Sequence, residues 1–375
     1  MRMTDLTGIA DTGLLPRSAR IPAAPLLGCA ATLSLYGAAH IVVDASCAAV
    51  VFCISSTRSL HPGTFVGLVV LYHALAFGLQ PIFGLAVDRR RLPRLAAVLG
   101  CLVSSIALLL PSSPMLAIVV AGVGNAVFHV GGGVVCLRLT PHRATAPGLF
   151  VAPGSLGLLI GMVLGTLGQA ASAPLILASL IACLGIARTR IPDPVTATVK
   201  KGSASGTELV IGFVLLSIAI RSLLGFVVTF PWETRPVELI LLTTATVAGK
   251  AIGGILADRW GWLRVGVGSM VAATPFLACV SICPMAAIPG LLLLNLTMAV
   301  TLAAIAEAVP GYPAFSFGLA SLALLLGALP SLLGAHVGGF LVVSLVMLFS
   351  SAALYRGLRT LTSIHSVPRP VEAYK

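Results

Sequence analysis

Charge is what this chain has least of. Only 9% of its 375 residues are Asp, Glu, Lys or Arg, against about 25% in a soluble globular protein. Hydrophobic residues reach 58% and the mean hydropathy is +1.07, so a water-soluble fold is excluded. Paired cysteines are missing as well. The eight cysteines (Cys29, Cys47, Cys53, Cys101, Cys136, Cys183, Cys279 and Cys283) lie inside apolar stretches without a CxxC pair; they are read as reduced packing residues, and no metal site is expected. There is no GxxxxGK[ST] loop to cradle ATP, and no GxSxG or HExxH constellation for hydrolysis; no cofactor is expected. Acidic residues number 11 against 23 Lys and Arg, a formal charge of +12. Without a basic stripe interleaved with aromatics, that excess does not indicate nucleic acid. The first 25 residues carry Arg2, Arg17 and Arg20 but no short apolar core ahead of a small-residue cleavage site. No signal peptide is expected to be removed.

What the chain has instead is apolar runs. Twelve are visible, at roughly 27–54, 62–87, 95–111, 114–137, 146–169, 172–188, 208–230, 236–257, 265–283, 286–308, 314–333 and 336–355. Each approaches the roughly 20 residues that a membrane-spanning helix requires. Proline and glycine mark the junctions, including Pro111, Pro114, Pro174, Pro289, Pro310 and Pro313. The last two runs are nearly continuous, and Gly334 is the expected break. Residues 189–207 read as a linker between six runs and six runs. The expected organisation is a cytoplasmic tail 1–25, a six-helix bundle 26–188, the linker 189–207, a second bundle 208–356 and a tail 357–375. With both ends cytoplasmic, 19 of the 23 basic residues fall on the inner side, in islands such as Arg89, Arg90, Arg91 and Arg94. Positive residues are retained there. The net charge is then a matter of topology and needs no anionic partner.

Two of the inner loops repeat. Gly84-Leu-Ala-Val-Asp88-Arg89-Arg-Arg91-Leu-Pro-Arg94 and Gly254-Ile-Leu-Ala-Asp258-Arg259-Trp-Gly261-Trp-Leu-Arg264 lie at the ends of runs two and eight, equivalent places in the two halves. The glycines allow close helix approach. The aspartates can accept from a neighbouring helix N-terminus and from arginines. The second copy is a complete GxxxDRxGxxR and resembles the signature loop of the major facilitator superfamily; the first carries Arg91 in place of glycine.

Within that superfamily the chain resembles the fosmidomycin-resistance group. The matching stretches are His40-Ile-Val-Val-Asp44, Gln80-Pro81-Ile-Phe-Gly84, Gly122-Val-Gly124-Asn-Ala-Val-Phe128-His129, Arg221-Ser-Leu-Leu-Gly225 with Phe230-Pro231, and Glu307-Ala-Val-Pro310-Gly311. Two departures stand out. Val130 and the run Gly131-Gly132-Gly133 follow His129 where the group has proline, and Met162 follows Gly161 where antiporters tend to carry Gly-Pro. The resemblance implies an all-α membrane protein of twelve transmembrane helices in two pseudo-symmetric six-helix bundles, with both termini cytoplasmic. It also implies a monomer in the bacterial inner membrane that exports a small solute against protons, without enzymatic activity. An uptake carrier or uniporter is the alternative, and a membrane-embedded enzyme a distant one.

Ionisable residues inside a span are costly and therefore informative. His40 and Asp44 share one helical face with Tyr36 and Cys47. They form either a protonation site or a permanent helix-holding pair. Arg221 is either an anion ligand or half of a structural ion pair. The resemblance places runs one, four, seven and ten around a central cavity, where Asp44 and Arg221 can face each other. Tyr36, Asn125, His129 and Asn295 are assigned to the cavity with Arg221, and the glycines after His129 are expected to leave space. Gln80 and Lys250 hold equivalent places, each eight residues before its aspartate, about 12 Å of helix. Lys250 is expected to find an acidic or carbonyl partner. Glu307 is expected at a cytoplasmic gate, paired with Arg138 or a basic loop residue, or simply at a helix end. Gly157, Gly161 and Gly165 read as an interface between the two bundles.

Overall fold

Proline and glycine decide where the helices of this protein begin and stop. In the computed structural model, which describes residues 23–110, 112–168, 172–191, 204–227, 236–335 and 338–366, fourteen α-helices follow one another and no strand occurs among the described residues. They are α1 Ala23–Thr57, α2 Pro62–Gly78, α3 Gln80–Arg90, α4 Pro93–Ala107, α5 Pro114–Leu139, α6 Thr145–Thr166 and α7 Ser172–Ala187. The second set is α8 Ala204–Val227, α9 Pro236–Trp260, α10 Trp262–Ala278, α11 Ala287–Asn295, α12 Thr297–Ala308, α13 Pro313–Leu332 and α14 Phe340–Ser366. Proline opens α2, α4, α5, α9 and α13, where its missing N–H and fixed φ suit the first helical turn. Gly334 ends the continuous stretch after α13 with φ +85°, a backbone conformation that favours glycine.

Two apolar runs are broken in mid-course. The second divides at Leu79, ahead of Pro81, which cannot donate to the carbonyl four residues back. The tenth divides at Leu296. There Asn295 Nδ2 and Thr297 Oγ1 donate to the carbonyls of Leu291 and Leu294 at 2.8 Å each, so side chains compete with the helical ladder. α14 runs to Ser366, beyond the expected bundle end at 356. The linker expectation falls largely on residues 192–203, outside the described residues, and α8 begins at Ala204. The N-terminal tail as far as residue 22, the stretch 228–235 with Phe230 and Pro231, and residues 367–375 also lie outside the described residues.

Nine helical stretches among the described residues are long and apolar enough to cross a membrane, and the shorter apolar helices α4, α7 and α10 occupy the remaining runs. α7 shows what surrounds them. Leu177, Leu180, Ile181 and Leu184 are exposed at helical spacing, while Leu175, Ser179, Ala182, Cys183 and Ile186 are buried on the opposite side. Contiguous apolar surface of this kind suits lipid rather than water.

α1 packs along α6, and α4 along α5; α8 packs on α13 and α14, and α9 on α11. A Cβ on Gly157, Gly161 or Gly165 would strike the backbone of Ile41, Ala45 or Ala49. Those glycines therefore seat α6 on α1, not one bundle on the other. The glycines after His129 leave no space either. Gly131 lies on Ala97, Gly132 on Phe150 and Gly133 on Phe317. The first seven helices meet the last seven through α6–α9 and α3–α13, with smaller contacts of α13 on α2 and α5.

Candidate functional site

Among the described residues, three places in this apolar body bring ionisable side chains together with polar partners. The first is a cluster on α1 and α5. His40 and Asp44, one helical turn apart, meet with His40 Nε2 3.1 Å from Asp44 Oδ2. From α5, Asn125 Nδ2 donates to Asp44 Oδ1 at 3.0 Å, and His129 Nε2 stands 3.7 Å from the same oxygen. Each imidazole is oriented by a backbone carbonyl: His40 Nδ1 donates to Phe150 O at 2.7 Å and His129 Nδ1 to Asn125 O at 2.9 Å. A carbonyl can only accept, so both Nδ1 atoms carry hydrogen. Both Nε2 atoms are therefore turned towards a carboxylate with a lone pair, or with a second proton, available. Phe150 lies on α6 next to Leu149, whose carbonyl Pro153 leaves without its usual donor. On the same helix Gly154 makes room for the pair; a Cβ there would reach 2.6 Å from Asp44 Oδ2.

The second place is a cavity of about 290 Å³ lined by His73 and Phe77 of α2 together with residues of α8, α9, α11, α12 and α13. Two cations line it. Arg221 donates to Thr297 Oγ1 at 3.2 Å and to Met298 Sδ at 3.0 Å. Lys250 donates to Ser155 Oγ at 2.6 Å, across from α9 to α6. Asn295 lines the cavity; Tyr36, Asn125 and His129 do not. Asn125 and His129 are engaged with Asp44, and the Tyr36 hydroxyl is 3.5 Å from Thr189 Oγ1 near the loop end. Asp44 and Arg221 form no ion pair, because each is held within its own set of helices. The partner of Lys250 is a hydroxyl, not the expected acid or carbonyl. Gln80 instead donates to Ala76 O at 2.7 Å, one turn back along the chain.

The third place is the end of the molecule that carries the repeated loops. Asp88 accepts from Ala314 N at 3.1 Å and Phe315 N at 2.9 Å, at the start of α13. Asp258 accepts from Ala144 N at 2.8 Å, Thr145 N at 2.9 Å and Thr145 Oγ1 at 2.5 Å, at the start of α6. Each carboxylate thus caps the N-terminus of a helix from the other half, satisfying its free N–H groups and its positive end. A Cβ on Gly84 would strike Ala314, and one on Gly254 would strike Ala144, so both glycines are required for this approach. Arg89, Arg259 and Arg264 are exposed and make no ion pair with these aspartates among the described residues. Gly261 adopts φ +95°, and Arg91 at the equivalent place adopts φ +55°. Glu307 pairs with His142, whose Nδ1 donates to Oε1 at 2.7 Å, another contact between the halves. That hydrogen bond holds His142 above the ordinary imidazole range.

Sequence reasoning missed the receiving residues Ala144, Thr145, Ala314 and Phe315, and also His142, Gly154, Ser155, Thr297 and Met298. One signal was present for the first four. Ala144 and Ala314 are separated by the same interval as Asp88 and Asp258.

No protein-family model matches the chain, and no curated protein matches it in sequence. Solved structures do match, and they define a class of fold. The fucose:proton symporter FucP of E. coli superposes with a TM-score of 0.66 at 10% identity, over 90% of this chain and 99% of that chain. A second structure of FucP, a major facilitator superfamily transporter in the outward conformation, gives 0.64 at 11% identity over 90% and 99%. The human organic anion transporter MFSD10 (TETRAN) gives 0.60 at 13% identity over 90% and 97%. This chain has the major facilitator fold, that of a multi-pass helical membrane protein.

Proposed function

We propose that the protein is a major facilitator superfamily secondary transporter that moves a small anionic or drug-like solute by alternating access, coupled to protons in the manner of the fosmidomycin-resistance group. The observation that carries this reading is the cavity at the junction of the two halves. Arg221 and Lys250 line it, and each is met by hydroxyl or sulfur atoms in place of a carboxylate. A cation in a membrane interior costs about 3 kcal/mol, which an anionic solute offsets when it enters. The planar fork of Arg221 suits a carboxylate or a phosphonate. Asp44, held by His40, His129 and Asn125, is the proton-carrying group.

The latches at Asp88 and Asp258 are closed, whereas the cavity extends along α9 past Lys250 to Thr246, twelve residues and about 18 Å of helix from Asp258. On this reading the chain is open away from the latch end, an outward-open state like the one named for FucP. Twelve spans with both termini cytoplasmic, halves at 26–188 and 208–356 and a monomer in the bacterial inner membrane complete the proposal. Gln80 and Lys250 are repeat-equivalent positions with different roles: helix packing for the first, substrate charge for the second.

The test is flux in reconstituted vesicles carrying an internal pH dye, challenged with phosphonates, carboxylates, amphipathic drugs and neutral sugars. Anion-triggered proton movement is expected. Asp44→Asn should abolish it while leaving anion binding, and Lys250→Met should raise the half-saturating anion concentration roughly tenfold. Anion exchange by the unmodified chain without proton movement would replace coupled export by uniport. Transport of neutral sugars alone would overturn the anionic assignment.

A further inference from the structure

Two imidazole nitrogens and one carboxylate converge between α1 and α5. His40 Nε2, His129 Nε2 and the Asp44 carboxylate have ligand atoms all within 4.8 Å of one another. The separations to Asp44 oxygens are 3.1 and 3.7 Å. Donors placed about 2.0–2.2 Å from a tetrahedral ion stand about 3.3–3.6 Å apart; His40 Nε2 to Asp44 Oδ2 falls just below that range and His129 Nε2 to Asp44 Oδ1 just above it. The Nδ1–H groups, donated to Phe150 O and Asn125 O, repeat the support that metal-binding histidines receive, in which the remote N–H is anchored and the near lone pair is aimed. Asn125 adds two features. Its Nδ2 steadies Asp44, and its Oδ1 is buried without a hydrogen-bond partner in the chain, a further acceptor beside the cluster. Gly154 supplies the clearance, since a side chain there would fill the gap between His40 and Asp44. The Asp44 and His129 side chains keep 10% and 11% of their exposure.

We infer that His40, Asp44 and His129 form a binding site for a divalent first-row transition cation of the zinc type. Two imidazoles and one carboxylate select such ions over magnesium and calcium, which favour oxygen alone. The inference stands apart from the transport reading, since binding requires no flux. The ion takes lone pairs from both Nε2 atoms and from the Asp44 carboxylate, and any proton resting between them is released to solvent as it binds. The sequence shows no spacing signature for this site because its ligands come from two helices and converge only in the fold.

The decisive measurement is X-ray absorption on the purified full-length chain in detergent, stripped with chelator and loaded with one equivalent of Zn²⁺. The expected spectrum shows nitrogen and oxygen scatterers at about 2.0–2.2 Å with imidazole contributions. Sulfur at about 2.3 Å would assign the metal to cysteines and overturn the inference. Failure to retain Zn²⁺ after desalting would overturn it as well. A Co²⁺ titration read by visible d–d absorption supplies the second arm. His129→Ala and Asp44→Asn should weaken Co²⁺ binding roughly tenfold or more, while His73→Ala and His142→Ala should leave it unchanged. Equal binding in all four variants would place the metal elsewhere. Because the zinc spectrum uses the unmodified chain, an unstable variant does not spare the proposal.

Discussion

Asp88 and Asp258 perform one task with unequal means. Both cap a helix from the opposite half, and both approach it over a glycine four residues earlier. Asp88 has two backbone donors. Asp258 has two backbone donors, the Thr145 hydroxyl and the Trp262 indole at 3.3 Å. The difference traces to two positions. In the repeat register that aligns Asp88 with Asp258, Thr145 has Phe315 as its counterpart and Trp262 has Leu92. The backbone geometry of the repeat has been kept while the side chains around it have diverged. The comparison teaches that helix-end N–H groups suffice to make such a latch and that side chains set its strength.

The largest effect is expected from Asp258→Asn. Losing charge-assisted bonds to several donors should weaken closure at the latch end by about 2 kcal/mol or more, roughly thirtyfold in the closed-to-open ratio. Distances between spin labels placed across the two halves would measure it. Asp88→Asn should shift the same ratio by only about tenfold, from two donors; equal shifts in the two variants would break the comparison. Thr145→Val sharpens it, because it should lower the Asp258 latch by about 1 kcal/mol, roughly fivefold, towards the strength of its counterpart.

The smallest effect is expected at His142 and Glu307. The Glu307 hydrogen bond raises His142 in the folded chain, so its stabilising contribution is fully present below the ordinary imidazole value. It is lost as pH rises through the raised one. Closure should therefore loosen slightly from mildly acidic to alkaline pH, and His142→Ala should remove that slope. With His142 73% exposed, salt should diminish the effect.

Much of this arrangement was legible in the residues. Apolar runs, the repeated Asp-Arg loops and their use as helix-end acceptors follow from composition, spacing and the chemistry of a carboxylate. What was not legible depends on how one helix is rotated against another. His40 and Asp44 announce themselves by their four-residue spacing, yet nothing local says that Asn125 and His129 come to them while Arg221 turns to Thr297 and Met298. The same limit applies to Gly157, Gly161 and Gly165. Small residues in series state that some helix approaches closely, but α1 is identified only by the packing. Lys250 shows the limit most clearly, since its partner Ser155 is an unremarkable residue in a glycine-rich run.

The receiving side of each latch offers main-chain N–H groups, which every residue except proline possesses. A saturation mutagenesis profile of this end of the molecule should therefore be lopsided. Asp88, Asp258, Gly84 and Gly254 should tolerate almost nothing. Residue 315 should accept most replacements that keep the helix, because its contribution to the bond does not depend on its side chain.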